Sequence, residues 1–185
     1  PLDSSAASDV YKRQVSGDTL TGTYSGVFDN ANVGTGKTVT ITSSYGGTDV
    51  NNYTITDQAS TTADVTAKAL TATASASNKT YDASDTATTT LTLSGFIGTE
   101  TVTSTNSSTF NDKNVGTGKT VTVNSITLAD GTNGGLALNY SIGSGQTTTA
   151  NITAKALTVS GITASDKTYD GSTSATTVSY THLTL

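Results

Sequence analysis

The chain has 185 residues, nine Lys and Arg against fourteen Asp and Glu, a formal charge of −5, and no Cys, Met or Trp. Without Cys there are no disulfides or thiolate metal sites, and a mildly acidic chain carries no electrostatic footprint for nucleic acid or an anionic membrane. No run of about 18 apolar residues occurs, so no segment reads as a membrane-spanning helix.

In chain order, short windows alternate apolar and polar residues: TVTI at 38–41, ADVTA at 63–67, TLTL at 90–93, TVTV at 120–123, LALNYSI at 136–142 and ANITA at 150–154. Period two with β-branched Thr, Val and Ile predicts strands, because alternate side chains face one core while the hydroxyls face water. Turn clusters separate the windows: SYGGTD (44–49), DASD (82–85) and ADGTNGG (129–135). No window has helical spacing, and the prediction is an all-β chain.

The sequence also repeats itself. FDNANVGTGKTVTI from Phe28 realigns with FNDKNVGTGKTVTV from Phe110, NYTI from Asn52 with NYSI from Asn139, ADVTAKALT from Ala63 with ANITAKALT from Ala150, and KTYD from Lys79 with KTYD from Lys167, at offsets of 82, 87, 87 and 88 residues. The step from 82 to 87 places an insertion between Val123 and Asn139, in the ADGTNGG loop, where extra residues are tolerated. One unit of roughly 87 residues is far longer than a solenoid coil and close to the roughly 100 of an immunoglobulin-like sandwich. The expected organisation is the C-terminal part of a truncated module at 15–66, a complete module at 67–153, and the first strands of a third at 154–177.

The two ends read differently. DVYKRQ (Asp9 to Gln14) can be encoded by GAT GTG TAT AAG AGA CAG; the reverse complement, one frame over, encodes VSYTH, which is Val178 to His182. That element resembles a transposon end used in preparing sequencing libraries, so residues 1–14 and 178–185 are read as translated scar on a metagenomic fragment and set aside. With them go the only Pro, Arg and His, leaving seven Lys against twelve Asp and Glu. General acid–base work would then fall to Asp, Glu, Lys or Tyr alone.

KTYDGS (Lys167 to Ser172), NVGTGKTVT, NYTI and ADVTAKALT, in this order and spacing, resemble the YDG-type repeats, which belong with the mostly-bacterial Ig-like modules of large secreted surface proteins such as filamentous-haemagglutinin-like adhesins. The resemblance covers nearly all of 15–177. It implies tandem Ig-like β-sandwich beads in an elongated array, with no catalysis, no cofactor and no metal attached to the repeat. In the complete module the motif reads YDAS, with Ala83 where the family prefers Gly, and a positive φ is not expected of Ala. The residues that carry the repeat motif are Lys79, Tyr81, Asp82, Lys167, Tyr169, Asp170 and Gly171, together with Phe28, Val33, Gly34, Gly36, Phe110, Val115, Gly116 and Gly118.

Each sharper reading of these residues has a plainer rival. Gly36-Lys37-Thr38 ends like a phosphate loop, but G-x-x-x-x-G-K-[ST] needs Gly where Ala31 and Lys113 stand, and a strand rather than a helix follows. The dinucleotide pattern fails at Val39. A glycine turn between strands is the reading retained, with Lys37 and Lys119 facing solvent at the strand starts. Asp82 and Asp85 are too sparse for calcium and have no opposing carboxylate for glycosidase work, so they are read as a turn in which Asp caps backbone amides. Tyr81 and Tyr169 read as rings packed at the sandwich edge with hydroxyls on backbone, and the rival is a sugar platform. Phe28 and Phe110 read as core. An intramolecular isopeptide crosslink would need a buried Lys, an Asn and an acid within reach, which spacing cannot show.

The function expected is a structural stalk or spacer of a bacterial cell-surface or secreted adhesin. The partners would be neighbouring modules of the same chain, with host surfaces or glycans met through other regions, and no nucleic acid. The alternative is a glycan- or host-protein-binding module that uses loops at one end of the sandwich, the 129–135 loop or Tyr81 among them.

Overall fold

The computed structural model describes residues 13–178, so most of the two segments read as scar lies outside the described residues. In chain order the strands are β1 (Thr21–Phe28), β2 (Gly34–Gly46), β3 (Ser60–Val65), β4 (Lys68–Ala69), β5 (Thr71–Ala76), β6 (Lys79–Thr80), β7 (Thr86–Ala87), β8 (Thr89–Ser94), β9 (Val102–Phe110), β10 (Gly116–Asp130), β11 (Tyr140–Ser141), β12 (Thr147–Thr153), β13 (Thr163–Ala164) and β14 (Thr177–Val178). The chain is all-β, with several sheets. Among the described residues the helical turns are two single 3-10 turns, at Val50–Asn52 and Ala137–Asn139.

Over the described residues the fold divides into two compact units, one of 13–71, Ser94–Ser104 and Leu128–Ile142, the other of Ala72–Leu93, Thr105–Thr127 and 143–178. In the first unit β1, β2 and β3 form an antiparallel sheet in that order, with Phe28 opposite Val39 and Thr61 on the other side of Val39. The connection TAKALT is itself paired. Its β4 runs parallel to β11, and the Leu70 amide donates to Ser141 O at 2.8 Å. Leu70 is buried there.

In the second unit the main sheet has the order β6-β12-β10-β9-β7, β10 and β12 being antiparallel and β6 parallel to β12. Its centre repeats the first sheet, since β9, β10 and β12 occupy the places of β1, β2 and β3. Val121 and Val123 of β10 and Ile152 of β12 are almost wholly buried, each contributing about 1.5–3 kcal/mol of apolar burial. Val121 and Val123 alternate with exposed Thr120 and half-buried Thr122, as the period of a strand requires. Ala87, Phe110, Val121, Ala150 and Ile152 form one cluster, onto which Ala76, at the end of β5, and Tyr81 pack. The β5–β8 sheet is pinned by a hydroxyl contact from Thr71 to Ser94 at one end and by Ser77 N–H to Thr88 O at the other, so its strands run antiparallel.

Two expectations need correction here. LALNYSI does not run as one strand: its middle turns as a 3-10 helix at Ala137–Asn139 before β11 begins. Phe28 is not core. It is 37% exposed, whereas Phe110 is 3% exposed. In the second unit Phe110 is covered by Ala87, Ala76 and Tyr81; the residues 82 places before β5 to β8 fall ahead of residue 13, outside the described ones.

Candidate functional site

The repeated motifs make contacts that are themselves repeated. In NVGTGKT the ladder slips by a bulge between Gly34 and Lys37, and again between Gly116 and Lys119. Gly36 has φ 60° and Gly118 φ 61°, values that glycine takes without the Cβ clash. The Gly36 amide donates to Asp64 Oδ1 at 2.8 Å, and the Gly118 amide to Asn151 Oδ1 at 2.8 Å. A phosphate would need those amides, and the chain's own side chains already occupy them.

Lys37 and Lys119 do not face solvent. Their ammonium groups fold back over the bulge into the preceding loop, leaving the side chains 8% and 9% exposed. Lys37 Nζ donates to Asn30 O at 2.7 Å, Asn32 O at 2.6 Å and Asn30 Oδ1 at 2.5 Å, with Asp29 Oδ1 at 3.4 Å. Lys119 Nζ donates to Asp112 Oδ1 at 2.6 Å. The stems lie across the glycines, because a Cβ on Gly34 or Gly116 would stand 3.2 Å from the lysine Cδ. Lys37, Asn30 and Asp29 are therefore together, the trio an isopeptide would need. The amine donates to oxygens, and three of these acceptors take an ammonium's three protons. This is a clamp that satisfies the carbonyls of a tight loop.

KTYD builds a second clamp, made twice. Lys79 Nζ donates to Ser84 O at 2.8 Å and Thr86 O at 3.0 Å and pairs with Asp82 Oδ1 at 2.8 Å. Lys167 Nζ likewise reaches Ser172 O at 2.8 Å and Asp170 Oδ1 at 2.9 Å. Asp82 also accepts the Ser84 amide, and Asp170 the Ser172 amide, both at 2.9 Å, which is the capping turn expected. The lysine hydrogen bond, followed by that amide, holds each carboxyl below its ordinary range, and Asp112 is lowered by Lys119 in the same way. Ala83 departs from expectation: it takes φ 67°, matching Gly171 at 72°, so the clamp imposes the turn on a residue that resists it.

The tyrosines part company. Tyr81 packs on the core cluster, and the main-chain contact there runs from its amide, which donates to Thr153 O at 2.8 Å. Tyr169 is 94% exposed. Of the valines, Val33 is half-buried and Val115 exposed.

Sequence reasoning missed two groups. One is the tyrosine of NYTI and NYSI. Tyr53 Oη donates to Asp18 Oδ2 at 2.8 Å and accepts from the Val15 amide at 2.8 Å; Tyr140 Oη donates to Glu100 Oε2 at 2.6 Å and accepts from the Ile97 amide at 3.1 Å. The Glu100 hydrogen bond raises the Tyr140 pKa, against the Ile97 amide. An acid at 18 and again at 100, at the same 82-residue offset as the glycine motif, was the signal. The other is the Asn beside that tyrosine. Asn139 of the second copy accepts from the Val33 amide of the first through Oδ1 and donates through Nδ2 to Asn32 Oδ1, both at 2.9 Å.

Fold and site together define a twice-repeated β module whose motif residues bind one another and their neighbouring copy. The family comparison agrees: the YDG domain model matches residues 3–63 and again 66–150. The chain belongs to the YDG domain family, a non-enzymatic domain family. The first match begins within the segment read as scar. No curated protein and no solved structure matches the chain. Among the described residues no cluster of three or more His, Cys, Asp or Glu could hold a metal ion.

Proposed function

We propose that the chain is a run of structural spacer modules from a secreted or surface-displayed bacterial adhesin, each module an Ig-like bead in a tandem array. The observation that carries this reading is the Asn139 contact. One side chain of the second copy holds both the backbone and the side chain of the NVG loop in the first, and the connecting TAKALT is paired into a ladder rather than left as a tether. Both features lie within the first compact unit and fasten a motif of the second copy to one of the first, which is what a spacer needs. The location follows from the function: such a spacer works outside the cell, on its surface.

The rival reading, a ligand site in the 129–135 loop, draws little support from that loop. Its polar groups are engaged by its own chain: Gly131 N–H donates to Gly135 O at 2.9 Å, Asn133 Nδ2 donates to Thr99 O at 2.9 Å, and Asp130 Oδ1 accepts from the Ala137 amide at 2.7 Å. Asn139→Ala tests the spacer reading. It removes two hydrogen bonds of about 0.5–1.5 kcal/mol each. The Val33 amide should then exchange with deuterium about tenfold faster, and small-angle scattering should show a wider spread of bend between beads. Unchanged exchange and unchanged scattering would remove the basis for the proposal.

A further inference from the structure

In the second unit the first strand of the main sheet lies parallel to the last. β6 pairs with β12 through Lys79 opposite Ile152 and Thr80 opposite Thr153, and three hydrogen bonds fasten the two. Tyr81 N–H donates to Thr153 O at 2.8 Å, the Asn151 amide to Asn78 Oδ1 at 2.7 Å, and Thr153 Oγ1 to Lys79 O at 3.3 Å. The chain comes into this pair at Asn78 and leaves it after Thr153, where β12 ends. Between parallel strands those two points lie at opposite ends. Tension along the chain therefore drags β6 toward its own start and β12 toward its own finish, and the bonds that cross between them are loaded together, in shear. Had the strands been antiparallel, entry and exit would share one end, and the same tension would open the bonds one after another. β5, just ahead, is held to β8 by the Ser77 amide on Thr88 O at 3.0 Å, and once that contact yields the pull falls on β6.

β6 is also braced from behind. Lys79 Nζ holds Ser84 O, Thr86 O and Asp82 and stands 5.8 Å from the centroid of the Phe110 ring, within cation–π range. That ties β6 to β7, whose Thr86 and Ala87 pair with Thr109 and Ser108 of β9 at the opposite edge of the sheet. The Phe110 amide adds a bond to Asp85 O at 2.7 Å. Tyr81, directly after β6, packs on the cluster of Ala87, Phe110, Val121, Ala150 and Ile152. A pull on β6 is thereby spread over both edges of the five-stranded sheet rather than taken by two residue pairs.

We propose that the second unit is a tension-bearing unit, with the β6–β12 pair as its shear lock and the Lys79 turn as the brace that shares the load. It keeps this part of the chain folded when the chain's ends are drawn apart, and it gives way readily when β12 is peeled from the side. The resistance is kinetic: forced unfolding is governed by the barrier at the loaded pair, not by equilibrium stability. The load path lies within one unit and holds whether or not the chain comes from a surface spacer.

The test is single-molecule force spectroscopy on the full chain, attached in two ways. In the first, handles at the two chain ends load the pair in shear. In the second, one handle sits at exposed Asp85, through Asp85→Cys in a chain with no cysteine of its own, and the other stays at the C-terminal end. Both pulls then act at the Thr80–Thr153 end of the pair and peel it. The rupture force of the second unit should be at least about twofold higher in the first geometry, because the bonds must break together. Asn78→Ala removes the acceptor of the Asn151 amide, at the far end of the pair. It should speed end-to-end unfolding at fixed load about 2- to 10-fold, as loss of one hydrogen bond does, and leave the peeling force unchanged, whereas a general loss of stability would lower both. Equal rupture forces in the two geometries, or an Asn78→Ala effect that is absent from the first or equal in both, would overturn the proposal.

Discussion

The clamped turn at Ala83 provides the sharpest physical test of the motif, through Ala83→Gly. An L residue in the left-handed region costs roughly 1–2 kcal/mol, and Ala83 sits there at φ 67°. Replacing it by Gly removes that strain but frees the unfolded chain by roughly 0.5–1 kcal/mol. The methyl makes no large contribution of its own: Ala83 is exposed, and a Cβ built on Gly171 in the matching turn meets nothing within 4 Å. The net expectation is a gain of about 0.5–1 kcal/mol. With a urea slope of about 1–3 kcal/mol/M, the midpoint of the transition that includes β6 and β7 should rise by about 0.2–1 M at unchanged slope. Circular dichroism at a fixed pH measures it. A midpoint that stays put or falls would mean that the Lys79–Asp82 clamp does not strain the turn and that the argument from φ is wrong.

Lys37→Ala removes the charged hydrogen bonds to Asn30 O and Asn32 O, the first in an exposed residue and the second in a half-buried one, and should cost about 1–3 kcal/mol, read as a lower urea midpoint; a cost near zero would reduce the clamp to a surface ion pair. Intact-mass spectrometry of the purified chain should give the sequence mass without loss of ammonia, since Lys37 and Asn30 are held as hydrogen-bond partners; a deficit of one ammonia would establish the crosslink instead. Stability should fall in acid with a defined sign. Asp82, Asp112 and Asp170 have folded pKa values below their unfolded ones, so their contribution is present above about pH 4 and is lost as pH falls through the lowered folded values. Asp82→Asn with Asp112→Asn should flatten the acid limb of the urea midpoint against pH; an unaltered limb would assign it to other groups.

The strands that were legible in the sequence are those whose inward residues are apolar. TVTI, TVTV and ANITA alternate because Val39, Val121, Val123 and Ile152 point into cores. β9 was not legible, since VTSTNSSTF has almost no apolar residue. Ser108 within it is 3% exposed, and its hydroxyl is held by Thr89 at 2.7 Å. A hydroxyl so satisfied occupies the interior without leaving a hydrophobic mark. The lysines misled for a related reason. Lys is seldom buried, and nothing in local spacing tells that a stem will fold over a bulge onto loop carbonyls. Phe28 misled because burial depends on which strands flank the sheet, not on the residue. The repeats announced Asn139 and Tyr140 as a motif; what each touches lies 40 or 107 residues away, beyond any local pattern.

The Asn139 contact has a consequence for inheritance. One half of it, the Asn-Val-Gly loop, and the other, the Asn-Tyr turn, lie in segments that both copies carry. Two copies of one segment in a gene are a substrate for recombination between them. A crossover in phase, removing or adding one whole unit, joins an Asn-Val-Gly loop to the next Asn-Tyr turn just as before. A crossover out of phase puts the asparagine opposite nothing. For the spacer proposed above, the junction tolerates changes of length by whole repeats and penalises every intermediate length.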